Sequence, residues 1–372
     1  MADEKVDVQK IQAEVREQGA SWQAGETPIS QLPRDERVKR LGVEPPPDAP
    51  SIEEVEQKIR SGEAQAAAEA ASEGGLGAPT TFDWRNVGGS NYVTPIKNQG
   101  GCGSCVAFGT CATVETTFRV QRGNPALAID LSEAQLFYCI ARSEGATCGT
   151  GWWPEKALDG FQNIGVADEA CYPYTAGDQN CTGRCADWQN RVTKIAGHTV
   201  LTSNLAAIKT HISTKGPASA CFIVYDDFFA YHSGVYKHVS GAQAGGHCVS
   251  LIGYDDNQKC WIAKNSWGTG WGESGFFRIA YGECGIDTWD VRGVNGIVES
   301  GWINNKKVVG LWATDQTRNA WAYIQDIGWR RVAPDNDNVF FDMLTLLCTA
   351  KSSNRPVNVL QDQGVLKQVY VL

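Results

Sequence analysis

In the segment Gln99-Gly100-Gly101-Cys102-Gly103-Ser104-Cys105 two cysteines stand three residues apart with different chemical prospects. The run that follows, Val106 to Glu115, reads as a buried helix, and a Gly-rich turn ending in Ser104 can cap it. Cys105 then falls in the first turn, where unpaired backbone N–H groups and the helix dipole favour negative charge and lower a thiol's pKa. A thiolate there is a candidate nucleophile, whereas Cys102, on the preceding loop, suits a disulfide. A thiolate alone does not cleave an amide: the leaving amine needs a proton donor and the oxyanion needs stabilisation. Candidates lie far downstream. Gly245-Gly246-His247 enters the apolar, strand-like run Cys248 to Asp255, and Trp261 to Lys264 reads as a strand leading into Asn265-Ser266-Trp267-Gly268. His247 follows Cys105 by 142 residues and Asn265 by 160.

Around these lie Asp83-Trp84-Arg85, Asn98-Gln99-Gly100, Leu131-Ser132-Glu133-Ala134-Gln135, Tyr172-Pro173-Tyr174 and the run Lys264 to Gly272. Taken in order, from about Pro79 to about Ser300, they resemble the papain-like cysteine proteases, in which His and Asn follow the nucleophile by roughly 130–150 residues. The resemblance implies an α+β, two-lobed fold. A helical left lobe would start at Cys105, and a β-barrel-like right lobe would supply His247 and Asn265, with substrate extended between them. It assigns Cys105 as nucleophile, His247 as general base and acid, and Asn265 as the group that orients the imidazole. Gln99 would donate its side-chain amide to the oxyanion together with the backbone N–H of Cys105, and Trp267 would keep water from the Asn–His hydrogen bond. Cys105 and His247 are expected to rest as thiolate and imidazolium.

Substrate contacts are expected from Gly151, Trp152, Trp153, Gly246 and Trp267. Gly151 fits the position whose backbone pairs with an extended substrate. Trp152 and Trp153 would give an aromatic side to the pocket for the second residue upstream of the scissile bond, favouring bulky apolar groups there. Val106 stands where the family has Trp or Tyr, which reads as a subsite change because no chemical role is touched. The double-histidine loop of cathepsin B has no counterpart, which favours an endopeptidase.

All 13 cysteines lie at or beyond Cys102, and an odd number fits one free nucleophile plus several bridges. Family alignment implies Cys102–Cys148 and Cys139–Cys181, and proximity adds Cys171–Cys185. Cys111, Cys221, Cys248, Cys260 and Cys284 are as readily buried thiols as bridges. The spacing of Cys102/Cys105 and Cys181/Cys185 does not form matched zinc knuckles, and no metal or other cofactor is expected. His198, His211, His232 and His238 read as surface or core residues. Disulfides point to a secreted, periplasmic or lysosome-like compartment. No hydrophobic run opens at Met1-Ala2-Asp3-Glu4-Lys5, so neither a signal peptide nor a membrane span is visible in this chain, and a trimmed signal would reconcile the two readings.

Residues 1–79 hold no Cys or His and carry 16 acidic against 9 basic residues, a net −7 of the whole chain's −9. The acidity therefore belongs to the leader, and it argues against nucleic-acid binding. Val8 to Gly19 reads as a short helix and Pro45-Pro46-Pro47 as a break. Ser51 to Ser72 reads as a second helix with a Ser51/Glu54 capping box, and Glu73 to Ala78 as a linker. Trp22-Gln23-Ala24-Gly25 followed by a basic helix and Leu41-Gly42 resembles the short propeptides of cathepsin B-like members. Residues 1–78 are thus expected to be an inhibitory propeptide, bound in the cleft near Leu41 to Pro47, ahead of a protease domain at 79–300.

Residues 304–372 read as a small β-rich domain with one helix, Asn338 to Ala350. Its Trp312, Trp321 and Trp329 could stack on a carbohydrate or protein ligand, but core packing is the commoner use of such residues. The reading is a zymogen of a cysteine endopeptidase acting on proteins or peptides. Its alternatives are a catalytically silent papain-like binding module and a Cys–His–Asn acyl transferase.

Overall fold

The computed structural model describes residues 5–62, 78–298, 301–334, 336–362 and 365–372. The Ala-rich half of the expected Ser51–Ser72 helix, and the linker up to Ala78, lie outside the described residues. The chain divides into two compact units, Met1–Ile297 and Val298–Leu372. Among the described residues no helix is long and apolar enough to cross a membrane.

The first unit opens with α1, Val8–Glu17, capped by the Asp7 carboxylate accepting from the Lys10 N–H at 3.0 Å. Its Ile11 and Val15 turn inward. A two-residue strand, β1 (Gln23–Ala24), precedes α2 (Arg34–Val38), and α3 (Ile52–Arg60) follows the proline run. The capping box of α3 is formed: Ser51 Oγ accepts from the Glu54 N–H at 3.2 Å, and Glu54 Oε2 from the Ser51 N–H at 2.8 Å.

After strand β2 (Thr81–Asp83) comes the central helix α4, Cys105–Gln121, then a π-helical turn at Gln135–Ala141 and α5, Pro154–Asn163. Helix α4 is buried nearly all round. It tolerates this because its threonine hydroxyls bond back into the helix: Thr110 to the Val106 carbonyl, Thr113 to Gly109 and Thr117 to Thr113, at 2.7–2.9 Å.

The second half is a sheet. Its strands are β3 (His198–Val200), β4 (Ala218–Tyr225), β5 (Tyr231–Ser233), β6 (Val235–Tyr236), β7 (Gln243–Asp255), β8 (Cys260–Lys264), β9 (Phe276–Ala280) and β10 (Asp290–Val294). Helix α6, Leu205–Thr214, packs in the same core. The order is β3-β10-β4-β7-β8-β9-β6, with β2 also paired to β7, while β5 pairs with β1 of the leader. This corrects the barrel-like expectation. The sheet is open, because its edge strands β3 and β6 are only three and two residues long and do not meet. One core gathers Phe222, Phe228, Trp267, Trp271 and Phe277. A second, on the α4 side, gathers Cys105, Val106, Phe137, Trp152, Trp153 and Trp289. Val106 is wholly buried in that second core.

The second unit is a six-stranded sheet with one helix. Its strands are β11 (Gly301–Lys306), β12 (Val308–Ala313), β13 (Ala320–Ile324), β14 (Gly328–Val332), β15 (Val357–Asp362) and β16 (Val365–Val371), in the order β11-β15-β16-β14-β13-β12. Helix α7, Asp337–Ser352, puts Phe340, Met343, Leu347 and Ala350 into a core with Ala322, Ile324, Val332, Val357 and Val359. Core packing of the tryptophans is corrected: Trp312 and Trp329 are 51% and 47% exposed, and Trp321 is half-buried. Strand alternation gives the covered face to small and branched residues and leaves the indoles on the other.

Candidate active site

Cys105 is the first residue of α4 and is fully buried. Ser104 occupies the N-cap, but its backbone angles (φ −94°, ψ 13°) are not extended and its hydroxyl caps nothing, which corrects the sequence expectation. Instead Ser104 Oγ bonds the Tyr174 hydroxyl at 2.8 Å, and Tyr174 donates to the Gln99 carbonyl at 2.8 Å. The turn is fixed on its other side by the Cys102–Cys148 disulfide and by the Gly103 N–H donating to the Cys148 carbonyl at 2.9 Å. Upstream, the Lys97 ammonium sits among Glu115, Asp130 and Glu133 at 2.7–3.0 Å and ties the loop to α4. The other two disulfides are Cys139–Cys181 and Cys171–Cys185.

His247 stands on β7, directly opposite Phe222 of β4. Its Nε2 bonds Asn265 Oδ1 at 2.8 Å, and its Nδ1 is buried with no hydrogen-bond partner. An amide oxygen only accepts, so Nε2 carries the proton and Nδ1 presents its lone pair. Asn265, just past β8, is held by the Ser266 N–H on the same Oδ1 at 2.8 Å. Trp267 lies over the imidazole with ring centroids 4.7 Å apart, and Phe222 flanks it at 5.8 Å. Gln99 is oriented by Ser266, whose hydroxyl donates to its Oε1 at 2.6 Å. That leaves Nε2 to donate to the carbonyls of Cys102 at 2.8 Å and Arg40 at 2.9 Å. Ser266 has no role that the sequence alone assigns. Its position directly after Asn265 is the one sequence signal for it.

These groups converge on one leader segment. The Arg40 carbonyl that takes the Gln99 amide also lies by the His247 ring, and the Gly42 N–H approaches the Cys105 sulfur. The Gly42 and Val43 N–H groups donate to the Gly246 carbonyl at 3.1 and 3.2 Å, and the Trp152 N–H donates to the Gly42 carbonyl at 2.9 Å. The Glu44 N–H completes a parallel bridge with the Trp152 carbonyl at 3.0 Å. The backbone ladder to the extended segment thus comes from Trp152 rather than from Gly151. Gly151 contributes closeness: at φ +79°, a Cβ there would lie 2.3 Å from the Gly42 carbonyl carbon. Gly42 is equally confined, since its Cβ would fall 1.9 Å from the Gly103 carbonyl oxygen. The Trp152 indole is held by Glu144 at 3.0 Å, while Trp153 packs on Trp289 with centroids 6.1 Å apart, in the core that also holds Val43.

The covered site is electrostatically quiet. Burial, followed by the neighbouring Cys248 thiol, pushes Cys105 up to about 12. Burial brings His247 down to about 4, against the opposing pull of the Asn265 amide oxygen and of the Arg40 carbonyl oxygen nearby. A thiol and a neutral imidazole are therefore the forms present at neutral pH under the leader. The thiolate–imidazolium expectation presumed a cleft open to water, which stabilises charge. Of the remaining four histidines, His198 meets Asp159 at 3.1 Å, His238 meets Asp227 at 3.1 Å, His211 is buried and His232 is exposed. Among the described residues no three His, Cys, Asp or Glu side chains gather as metal ligands.

A buried thiol at a helix start, with a His–Asn pair on a neighbouring sheet and an extended segment across both, defines the class of cysteine peptidases. Residues 78–293 match the model of the papain family cysteine protease, and the chain belongs to that family. Cathepsin B-like CP3 of Giardia intestinalis is 36% identical over 230 residues, which cover 58% of this chain and 74% of that protein. Ananain of Ananas comosus is 36% identical over 217 residues, covering 56% and 59% of the two chains. Among solved structures, a recombinant stem bromelain precursor superposes with a TM-score of 0.59 at 29% identity, over 78% of this chain and 88% of that one. Digestive procathepsin L2 of Tenebrio molitor gives 0.60 at 26% identity, over 77% and 88%. The protein is a cysteine-type endopeptidase, a hydrolase.

Proposed function

We propose that this protein is the zymogen of an endopeptidase, and that its leader is a propeptide laid through its own active cleft. The observation that carries this is the Gln99 amide donating to the Arg40 carbonyl while residues 42–44 are laddered between Gly246 and Trp152. A leader carbonyl fills the place where a substrate's developing oxyanion would be stabilised. That two of the similar structures are called a precursor and a procathepsin supports the same reading.

With the leader gone, water returns and the ion pair becomes affordable. Cys105 attacks the substrate carbonyl after losing its proton to His247 Nδ1. The backbone N–H of Cys105 and the Gln99 amide hold the oxyanion, and the imidazolium protonates the leaving amine. An acyl-enzyme remains, which water attacks with His247 now acting as base. Asn265 keeps Nδ1 aimed through its bond to Nε2, under the cover of Trp267. Val43 shares one apolar core with Trp153 and Trp289, which supports an apolar preference two residues upstream of the cut. Three disulfides support an oxidising compartment.

Labelling with a thiol-directed epoxide tests the whole reading. Cys105 is expected to react once residues before Thr80 are cut away and to resist while they are in place. Peptide hydrolysis should appear with the labelling and vanish in Cys105→Ala. A trimmed chain that neither labels nor hydrolyses peptides would refute it.

A further inference from the structure

Past Glu44 the leader leaves the cleft, runs through the prolines and lays α3 against the protease. Direct contacts hold it there. The Trp289 indole N–H donates to the Pro50 carbonyl at 2.8 Å, and the Tyr225 hydroxyl donates to Glu56 Oε1 at 2.8 Å. Val55 is buried to 2% exposure, with its Cγ1 only 2.6 Å from where a Cβ of Gly285 would stand, and Ile59 Cδ1 lies 3.8 Å from the same point. Gly285, at φ +75°, is a notch that a side chain would close. Ile52, Val55 and Ile59 form one apolar stripe of α3, and the capping box fixes the helix start from within the leader's own sequence. The protease's part is therefore a receiving surface. It consists of the Gly285 notch, a phenol stacked on His238 with centroids 3.8 Å apart, and an indole donor.

We propose that this surface, uncovered when the leader departs, is an exosite for an amphipathic helix of a protein substrate. The helix it fits carries apolar residues at helical spacing with an acid beside them. The inference rests on the zymogen reading above. Exosite and cleft are continuous through one side chain. Trp289 gives its N–H to Pro50, while Cη2 of the same ring lies 2.6 Å from where a Cβ of Gly246 would stand, beside the backbone ladder. On the proposed reading Val43 matches the second residue upstream of the cut, and Ser51 follows Val43 by eight residues. The helix therefore joins a substrate on its upstream side. The cleft takes any extended backbone, and the exosite adds a side-chain requirement at a distance. A substrate helix of this pattern buries the notch again and returns a charged acceptor to the phenol.

The test compares two substrates on the chain cut ahead of Thr80 with an added endopeptidase and separated from its leader. One is a short cleavable peptide. The other is the same peptide with the segment Ser51–Ser61 joined upstream through a flexible linker of about twelve residues, long enough to pass a helix of about 14 Å in either direction. The joined helix should lower KM by about five- to tenfold and leave kcat unchanged, because the tether supplies a high local concentration. Val55→Asn with Ile59→Asn in the joined segment should abolish the gain. Tyr225→Phe in the enzyme should reduce it about threefold while hydrolysis of the short peptide is unchanged. Equal KM for the two substrates, or a gain that survives the paired asparagines, would overturn the proposal and leave the peptidase reading standing. If neither substrate is cut, the peptidase reading fails instead. A fluorescent peptide of residues 45–62 then decides the exosite by itself: saturable binding to the trimmed chain supports it, and no binding refutes it.

Discussion

Trp22 and the strip Arg40–Glu44 belong to one leader but hold it by opposite means. Trp22 is an anchor of side chain. It is buried to 1% exposure against Tyr231 and Tyr236, with centroids 6.2 and 5.2 Å away, and β1 beside it pairs with β5. The strip is held by backbone, through N–H and C=O groups to Gly246, Trp152 and Gln99, around a glycine that admits no side chain. The anchor therefore says which leader fits, and the strip says only that an extended chain fits. On the zymogen reading proposed above, the leader's specificity thus lies away from the chemistry.

Four perturbations would break or sharpen that contrast, each read as the rate at which the uncut chain's Cys105 is labelled. Trp22→Ala should act most. Emptying such a site costs about 3–5 kcal/mol, enough to raise labelling by about a hundredfold or more. Gly42→Ala drives a methyl into the Gly103 carbonyl and should lift the strip alone, for about 1–3 kcal/mol and an increase of about tenfold, with β1 still docked. If the two substitutions acted equally, anchor and strip would be one cooperative unit and the contrast would fail.

Acidity should come next. His247 lies at about 4 in the closed state against an ordinary 6.5, so this imidazole, taken on its own, binds more protons in the open state between those values. Closure is thus fully stable above about 6.5 and weakens as pH falls toward 4, by at most tenfold per pH unit. Cys105, raised rather than lowered, weakens closure only above about 9. A labelling rate flat from 7 to 4, once corrected for the reagent's own pH dependence, would contradict this. Arg34→Ala removes a partly exposed pair with Asp226 at 3.2 Å and should change the rate threefold at most, the range of a surface ion pair.

How far the sequence reveals this depends on what each feature requires. Cys105, His247 and Asn265 are legible because residue type and order suffice to propose them. The groups that aim them are less so: Ser266 matters through a bond to Gln99, 167 residues away, and only the fold makes that neighbourhood. Ser104 has the right residue type for a cap, yet the backbone angles chosen by the disulfide-bound turn deny it the role. Alternation predicts that Trp312 and Trp329 each face away from their immediate neighbours along their own strands, but not which side of the sheet α7 covers. Cys221 and Cys248 become partners through strand register, which no local pattern announces.

Strand β2 carries a last consequence. Thr81–Asp83 pairs with Gly253–Asp255, the far end of the strand that bears His247, and the Asp256 N–H donates to the Thr80 carbonyl at 3.0 Å. A cut immediately ahead of Thr80 therefore creates a new chain end already stitched into the sheet. On the proposed zymogen reading, leader removal then needs no refolding at the seam, and the strand that presents the base keeps its tether.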